Sequence, residues 1–272
     1  MRFAKFAKSF APLAGLALAA ALSGCDSKID IDGTDVRFNG KEGKKLADLD
    51  LSGPAPTELA LLGPDEVQIT LGEKLAIAVE GDAAVTDSLR FALDGTTLGV
   101  MRDRESGKGK DGHAIVRVTM PAPREVSMLG SGKVVTPALA STAKVVVAGS
   151  GEIEAGSLQG ESLEVTIPGS GHFRANGSAR RLELTILGSG SAHMDALKAE
   201  TAKVTIAGSG SAAFASDGEV DATILGSGEV RVKGRARCKI SAVGSGRLVC
   251  ENGTESSAES DAAPASSKPK RK

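Results

Sequence analysis

The 272-residue sequence contains no tryptophan, no tyrosine and only seven phenylalanines. Without those rings there are few flat surfaces for bases or sugars, which argues against aromatic stacking as the main binding chemistry. The chain also lacks a charge excess: 33 Lys and Arg stand against 34 Asp and Glu. That balance removes the broad positive field that gathers nucleic acid, so DNA and RNA are not expected partners. Histidine and cysteine are scarce, with three residues each. The N-terminal apolar run, "APLAGLALAAALSG", is too short to cross a membrane.

That run has a different reading. Arg2, Lys5 and Lys8 precede it, as in an export signal, and residues 1–25 are expected to be a lipoprotein signal peptide. Its end, Leu22-Ser23-Gly24-Cys25, resembles the bacterial lipobox, which implies lipidation of Cys25. Two or more acyl chains anchor stably where one does not. The protein is therefore expected in the bacterial cell envelope, lipid-anchored, at the periplasmic side or the outer membrane surface. Residues 26–53 read as a polar linker. Within it Asp30, Asp32 and Asp35 alternate around Gly33 like half of a calcium loop, but Lys41 stands where the closing Glu would be, so no calcium is expected. Residues 251–272 are rich in Ser, Ala, Pro and charge and read as a disordered tail.

Gly-Ser-Gly recurs at Gly130, Gly149, Gly169, Gly188, Gly208, Gly226 and Gly244, every 18 to 20 residues. A fixed period near that length marks stacked repeats. Two residues before each triplet stand Met128, Val147, Ile167, Ile186, Ile206, Ile224 and Ala242; four before stand Val126, Val145, Val165, Leu184, Val204, Ala222 and Ile240. Between these apolar columns runs a polar one containing Thr166, Thr185, Thr205 and Thr223, so a period-two strand ends at each triplet. Alternation resumes afterwards, with Val134, Ile153, Phe173, Ala192, Ala212, Val230 and Leu248 in the inward column. Five residues before the triplets, Glu125, Lys144, Glu164, Glu183, Lys203, Asp221 and Lys239 give five opposite-sign neighbours out of six. Such pairing favours parallel, in-register stacking. A meander using the triplet as a hairpin turn would reverse alternate strands, whereas these columns keep one chain direction. The expected fold is an all-β solenoid over residues 126–250, preceded at 54–125 by irregular β-strands that cap it or form its first coils.

The succession "EVQITLGEKLAIAVEG", "LDGTTLGVM" and "VRVTMPAPREVSMLGSGKV", followed by serial GSG-ended strands, resembles the "putative auto-transporter adhesin, head GIN domain" family over about residues 56–250. The resemblance implies a right-handed single-stranded β-helix, export to the envelope, and a role in adhesion or surface binding. It brings no catalytic residues.

The chemistry of the residues points the same way. The corner serines lack a base that could serve them: His113, His172 and His193 are the only histidines, and the last two sit at different offsets from their triplets. No triplet continues into a Walker loop. The best enzyme-like cluster is Glu152 and Glu154 with His172 and Arg174 on the next turn, which keeps a glycan-acting β-helix enzyme as the alternative reading. His172 and His193 lack a third ligand for a metal. No cofactor or metal is expected. Cys238 and Cys250 fall in inward columns of an exported chain, and are expected either to form a disulfide or to be two buried thiols. The remaining feature is a surface strip, Thr166, Thr185, Thr205 and Thr223, beside the column Leu129, Ala148, Pro168, Leu187, Ala207, Leu225 and Val243. The expected function is non-enzymatic: adhesion, or binding of an envelope polysaccharide or protein through this face. Self-association and a purely structural role remain open.

Overall fold

A computed structural model describes residues 29–32, 35–38, 41–103, 112–251 and 254–257. Cys25 lies outside the described residues. The fold is a β-solenoid whose coils form one continuous 17-stranded sheet, bent at the glycine corners into two faces of parallel-stacked strands, here called the pre-corner and post-corner sheets. One sheet collects the segments that enter the corner, the other those that leave it. Gly130 aligns with Gly149, Gly149 with Gly169, and so on to Gly244.

The middle coils are continuous bent strands, Glu152–Gly169, His172–Gly188, Ser191–Gly208 and Ser211–Gly226. Each runs through the post-corner sheet, shifts register at the far bend, and returns in the pre-corner sheet. The last coils divide into Glu229–Lys233, Arg237–Gly244 and Arg247–Glu251. The expected charge column is in register, Glu164 against Glu183 included, and Lys203 reaches Glu183 at 3.9 Å.

Both flanking glycines of the triplet are required, for different reasons. The first adopts a positive φ, +129° at Gly208, and a Cβ there would lie 2.3 Å from the Gly188 carbonyl oxygen. The third is crowded by the branched residue of the preceding coil: a Cβ on Gly210 would lie 2.6 Å from Ile186 Cγ2. A Cβ fits neither place, and only glycine adopts the first conformation at low cost.

The interior is filled in complementary pairs. Phe173 shares its coil with Ala175, Ala192 with Met194, and Ala212 with Phe214, and all six are buried. A large side chain at one inward position is matched by a small one two residues away, which keeps the cross-section filled at constant coil size. Thr136 is the polar exception in this column, and its buried hydroxyl donates to the Ala138 carbonyl at 2.7 Å.

At the N-terminal end, coil order departs from chain order. Glu58–Gly63 and Glu66–Leu71 make the first coil in sequence, turning through Gly63-Pro64-Asp65. Glu125–Gly130 and Lys133–Ala138 stack on one side of it. Thr97–Arg102 and Ile115–Met120 stack, also parallel, on the other. The segment between adds Ala76–Glu80 and Leu89–Asp94 as antiparallel edge strands on that outermost coil. Residues 54–125 thus supply both coils and cap, and this end of the solenoid is closed.

The expected polar linker is partly structured. Ile29–Asp32 and Asp35–Phe38 pair antiparallel with Asp32 opposite Asp35, and Lys41–Glu42 adds a third strand. The acidic residues of the calcium-like stretch therefore belong to a hairpin. Farther on, Lys44 bridges to Phe91, and Leu46, Leu49 and Leu51 pack against the core. At the other terminus Thr254–Ser257, expected in the tail, pairs parallel with residues 237–240.

Candidate binding surface

The solenoid presents two outward sheet faces of different chemistry. On the pre-corner face the register aligns Thr166 with Thr185, Thr185 with Thr205, and Thr205 with Thr223. The first three are half-buried and Thr223 is exposed. Beside them the column nearest the corner carries Leu187, Leu225 and Val243, exposed at 47, 48 and 70 %. These are three of the four large apolar side chains exposed among the described residues, the fourth being Leu71. Hydroxyl and apolar groups repeat here at the coil spacing, about 4.8 Å between neighbouring strands. A flat, periodic surface of this kind suits a partner that is itself repetitive or extended.

The post-corner face is charged and internally neutralised. Register places Lys133 opposite Glu152, and Glu154 opposite Arg174. Lys133 Nζ lies 3.0 Å from Glu154 and 3.6 Å from Glu152, while Arg174 Nε lies 3.1 Å from Glu152. The hydrogen bond to Glu154, opposed by some desolvation, raises the Lys133 pKa above its ordinary value. The structure thus brings Glu152, Glu154, His172 and Arg174 together, with the carboxylates held by two cations.

The histidines are not paired with each other. His172 stands opposite Ser191, and His193 opposite Arg174. His172 Nδ1 lies 2.6 Å from Ser191 Oγ, a contact that sequence reasoning missed. Extending the columns one residue past the triplet would have found it, because Ser191 directly follows Gly190. Ser191 is only 7 % exposed, so an incoming electrophile has little access to its oxygen. The bond satisfies a buried hydroxyl.

The corner serines are exposed, and their backbone amides bind the preceding coil. Ser150, Ser170, Ser189, Ser209 and Ser227 each donate N–H to the first corner glycine's carbonyl one coil earlier, at 2.9 to 3.0 Å. The serine column thus joins neighbouring rungs through main-chain atoms. Cys238 and Cys250 are joined as a disulfide across the last coil, with Cα atoms 6.7 Å apart.

A family model described as "Putative auto-transporter adhesin, head GIN domain" matches residues 55–236. The chain belongs to this family. Head GIN domains are adhesin-like at the family level, consistent with a surface or envelope protein. Among solved structures, a "putative adhesin" from Bacteroides fragilis NCTC 9343 is similar at a TM-score of 0.64 and 20% identity, covering 72% of this chain and 93% of that one. A "putative lipid binding protein" from Parabacteroides distasonis ATCC 8503 is similar at 0.57 and 20% identity, with the same two coverages. A "putative adhesin" from Parabacteroides merdae ATCC 43184 reaches 0.50 at 16% identity, covering 75% of this chain and 92% of that one. At these identities the likeness shows the shared solenoid alone. No curated protein matches the chain. Among the described residues no helix is long and apolar enough to cross a membrane.

Proposed function

We propose that this head GIN protein is a non-enzymatic envelope lipoprotein, held in the membrane by acyl chains on Cys25, whose solenoid binds an envelope polysaccharide or protein through its pre-corner face. The observation that carries the reading is the in-register column Thr166, Thr185, Thr205 and Thr223 beside exposed Leu187, Leu225 and Val243. A repeated row of hydroxyl and apolar groups offers the same contact to each unit of an extended partner, so weak contacts add along the column. On the other face, the carboxylates of the enzyme-like cluster are neutralised by Lys133 and Arg174. Carboxylates already engaged by cations of this face are occupied as partners for a substrate, which supports binding over glycan cleavage.

Co-sedimentation with isolated cell-wall and capsular polysaccharide, and with envelope membranes, tests this proposal. The T185K/T205K variant is expected to bind at least about tenfold more weakly, because two cations interrupt the strip. Thermal unfolding of the variant accompanies the binding assay, because the two lysines stand directly opposite each other at half-buried positions and their repulsion costs stability; the loss of binding is read below the variant's melting temperature. Unchanged binding removes the strip from consideration. Turnover of the same glycans, abolished in Glu152→Gln, would establish the enzyme reading instead. Incorporation of labelled palmitate, lost in Cys25→Ser, tests the anchor.

A further inference from the structure

The far bends of the middle coils stack into a groove at the other end of the sheets from the glycine corners. A depression of about 530 Å³ crosses residues 159–161, 178–180, 198–200 and 217–218. Ser141 lines it and also lines a second depression, about 440 Å³, that continues over residues 140–144 to Glu58. The floor is low because its side chains are absent or turned inward. Gly160 aligns with Ala179, and Ala179 with Ala199; both alanines are buried in the core. A Cβ on Gly160 would lie 2.6 Å from the Ser141 carbonyl oxygen, so the close stacking of the bends keeps that position bare. Exposed polar side chains rise on both sides. Gln159, Ser178 and Lys198 form one rim, and Glu161, Arg180 and Glu200 the other.

We infer that this groove binds a linear, uncharged, hydroxyl-rich polysaccharide laid along the solenoid axis. The first argument is the set of groups left to make bonds. Arg180 pairs with Glu161 at 3.3 Å, and Lys198 with Asp217 at 2.6 Å. Gln159, Ser178 and Glu200, on three successive coils, have no hydrogen bond or ion pair among the described residues. An amide and a hydroxyl on one rim thus face a carboxylate on the other. Sugar hydroxyls donate and accept, so one chain can satisfy all three.

The second argument is what the groove lacks. Each depression is lined by three carboxylates and two cations, so no strong field selects a polyanion or a polycation. The main chain of the bends pairs from coil to coil in register, which leaves no open ladder for a peptide strand to join. No apolar side chain larger than alanine lines either depression, so a peptide finds no pocket for an anchoring residue. Without aromatic rings each sugar is held weakly, and the contacts add along successive coils. The inference rests on the polysaccharide form of the proposed function and gives that polymer a second contact, beside the strip rather than on it.

Equilibrium dialysis of the full-length protein, in a detergent without a sugar headgroup, tests the inference against labelled cellohexaose, maltohexaose and chitohexaose. Hexagalacturonate serves as the anionic counterpart and a Gly-Ser hexapeptide as the extended peptide. At least one neutral hexaose is expected to bind with a Kd of about 1 mM or tighter. The Q159A/S178A/E200A variant removes three exposed side chains that hold nothing in the fold. It should melt like wild type and bind that hexaose at least about tenfold more weakly. T185K/T205K, which alters only the strip, should bind the hexaose as wild type does. Failure to bind any neutral hexaose at about 10 mM, or a Q159A/S178A/E200A variant that binds like wild type, would overturn the inference. So would hexagalacturonate or the peptide binding more tightly than every neutral hexaose. Envelope co-sedimentation that is lost in T185K/T205K would stand in each of these cases, so the groove and the strip can fail separately.

Discussion

Asp65 and Arg102 form a bidentate ion pair beneath the N-terminal corner, with side-chain exposures of 1 and 11 %. Asp65 stands where later coils carry the third corner glycine: Gly63 aligns with Gly130, and the amide of Lys133 donates to the Asp65 carbonyl. Its carboxylate accepts from Arg102 and from the Ala114 amide at 2.8 Å. One side chain thus binds the first coil in sequence to the outermost coil in space. Asp65→Ala leaves a nearly buried guanidinium and a buried N–H without that acceptor. We expect a loss of about 3 kcal/mol, read from urea denaturation, with the outermost coil losing hydrogen-exchange protection first. A loss below about 1 kcal/mol would show that the pair acts as a surface ion pair.

The corner triplet makes a second prediction, because its three residues do different work. Gly208 needs a positive φ and close approach to Gly188, Gly210 needs clearance from Ile186, and Ser209 points to solvent. Gly208→Ala is expected to cost about 2 kcal/mol or more, from backbone strain together with the carbonyl clash. Ser209→Ala should change stability by no more than about 0.5 kcal/mol. Thermal unfolding of the two variants side by side checks this; a costly Ser209→Ala would return the hydroxyl to consideration.

These contrasts indicate which features were legible in the sequence. The pre-corner ladder, the Thr column and the corner could be read directly, because parallel stacking makes every coil reuse the same chemistry at the same offset. The position of Thr97–Arg102 and Ile115–Met120 outside the first coil could not. It depends on which sheet edge a later segment finds, and the contact that fixes it, Asp65 to Arg102, spans 37 residues. The hairpin at 29–38 was hidden for another reason. Its Ile and Val alternation is interleaved with aspartates, which read as a solvated stretch when partner strands are unknown. The His172–Ser191 contact was within reach, since a 19-residue separation is one coil. Ser191 stands one residue past the triplet, outside the column that the Gly-Ser-Gly repeat marks, so the repeat itself does not single it out.

The disulfide joins residues 12 apart in the last coil. In the chain-entropy model, closing a loop of that size contributes about 3 kcal/mol. Reduction, or Cys250→Ser, is expected to lower the denaturation midpoint and to loosen residues 237–251 before the middle coils. Hydrogen exchange resolved by residue separates this local opening from global loss. Two reactive thiols in the unfolded, unreduced protein would mean that the bridge does not form.

The ion pairs make a final prediction, for pH. Hydrogen bonds from Lys233, Lys198 and Arg247 hold the carboxyls of Asp195, Asp217 and Glu229, respectively, below their ordinary pKa. For a depressed carboxyl, the stabilisation is full above the unfolded-state value and disappears as pH falls through the folded one. Lys133 and Lys233 are raised by their bonds to Glu154 and Asp195; their contribution is full below the unfolded lysine value and is lost as pH rises through the folded one. Stability should therefore be flat from about pH 5 to about pH 10 and fall on either side. The pairs are solvent-exposed, so the acid limb should be shallow and weaker at high salt. The D195N/D217N/E229Q variant should lose part of that limb while keeping the alkaline contribution of Lys133. Melting temperatures from about pH 3 to about pH 12, at low and high ionic strength, decide it. An acid limb identical to wild type would show that these three pairs do not set the acid response.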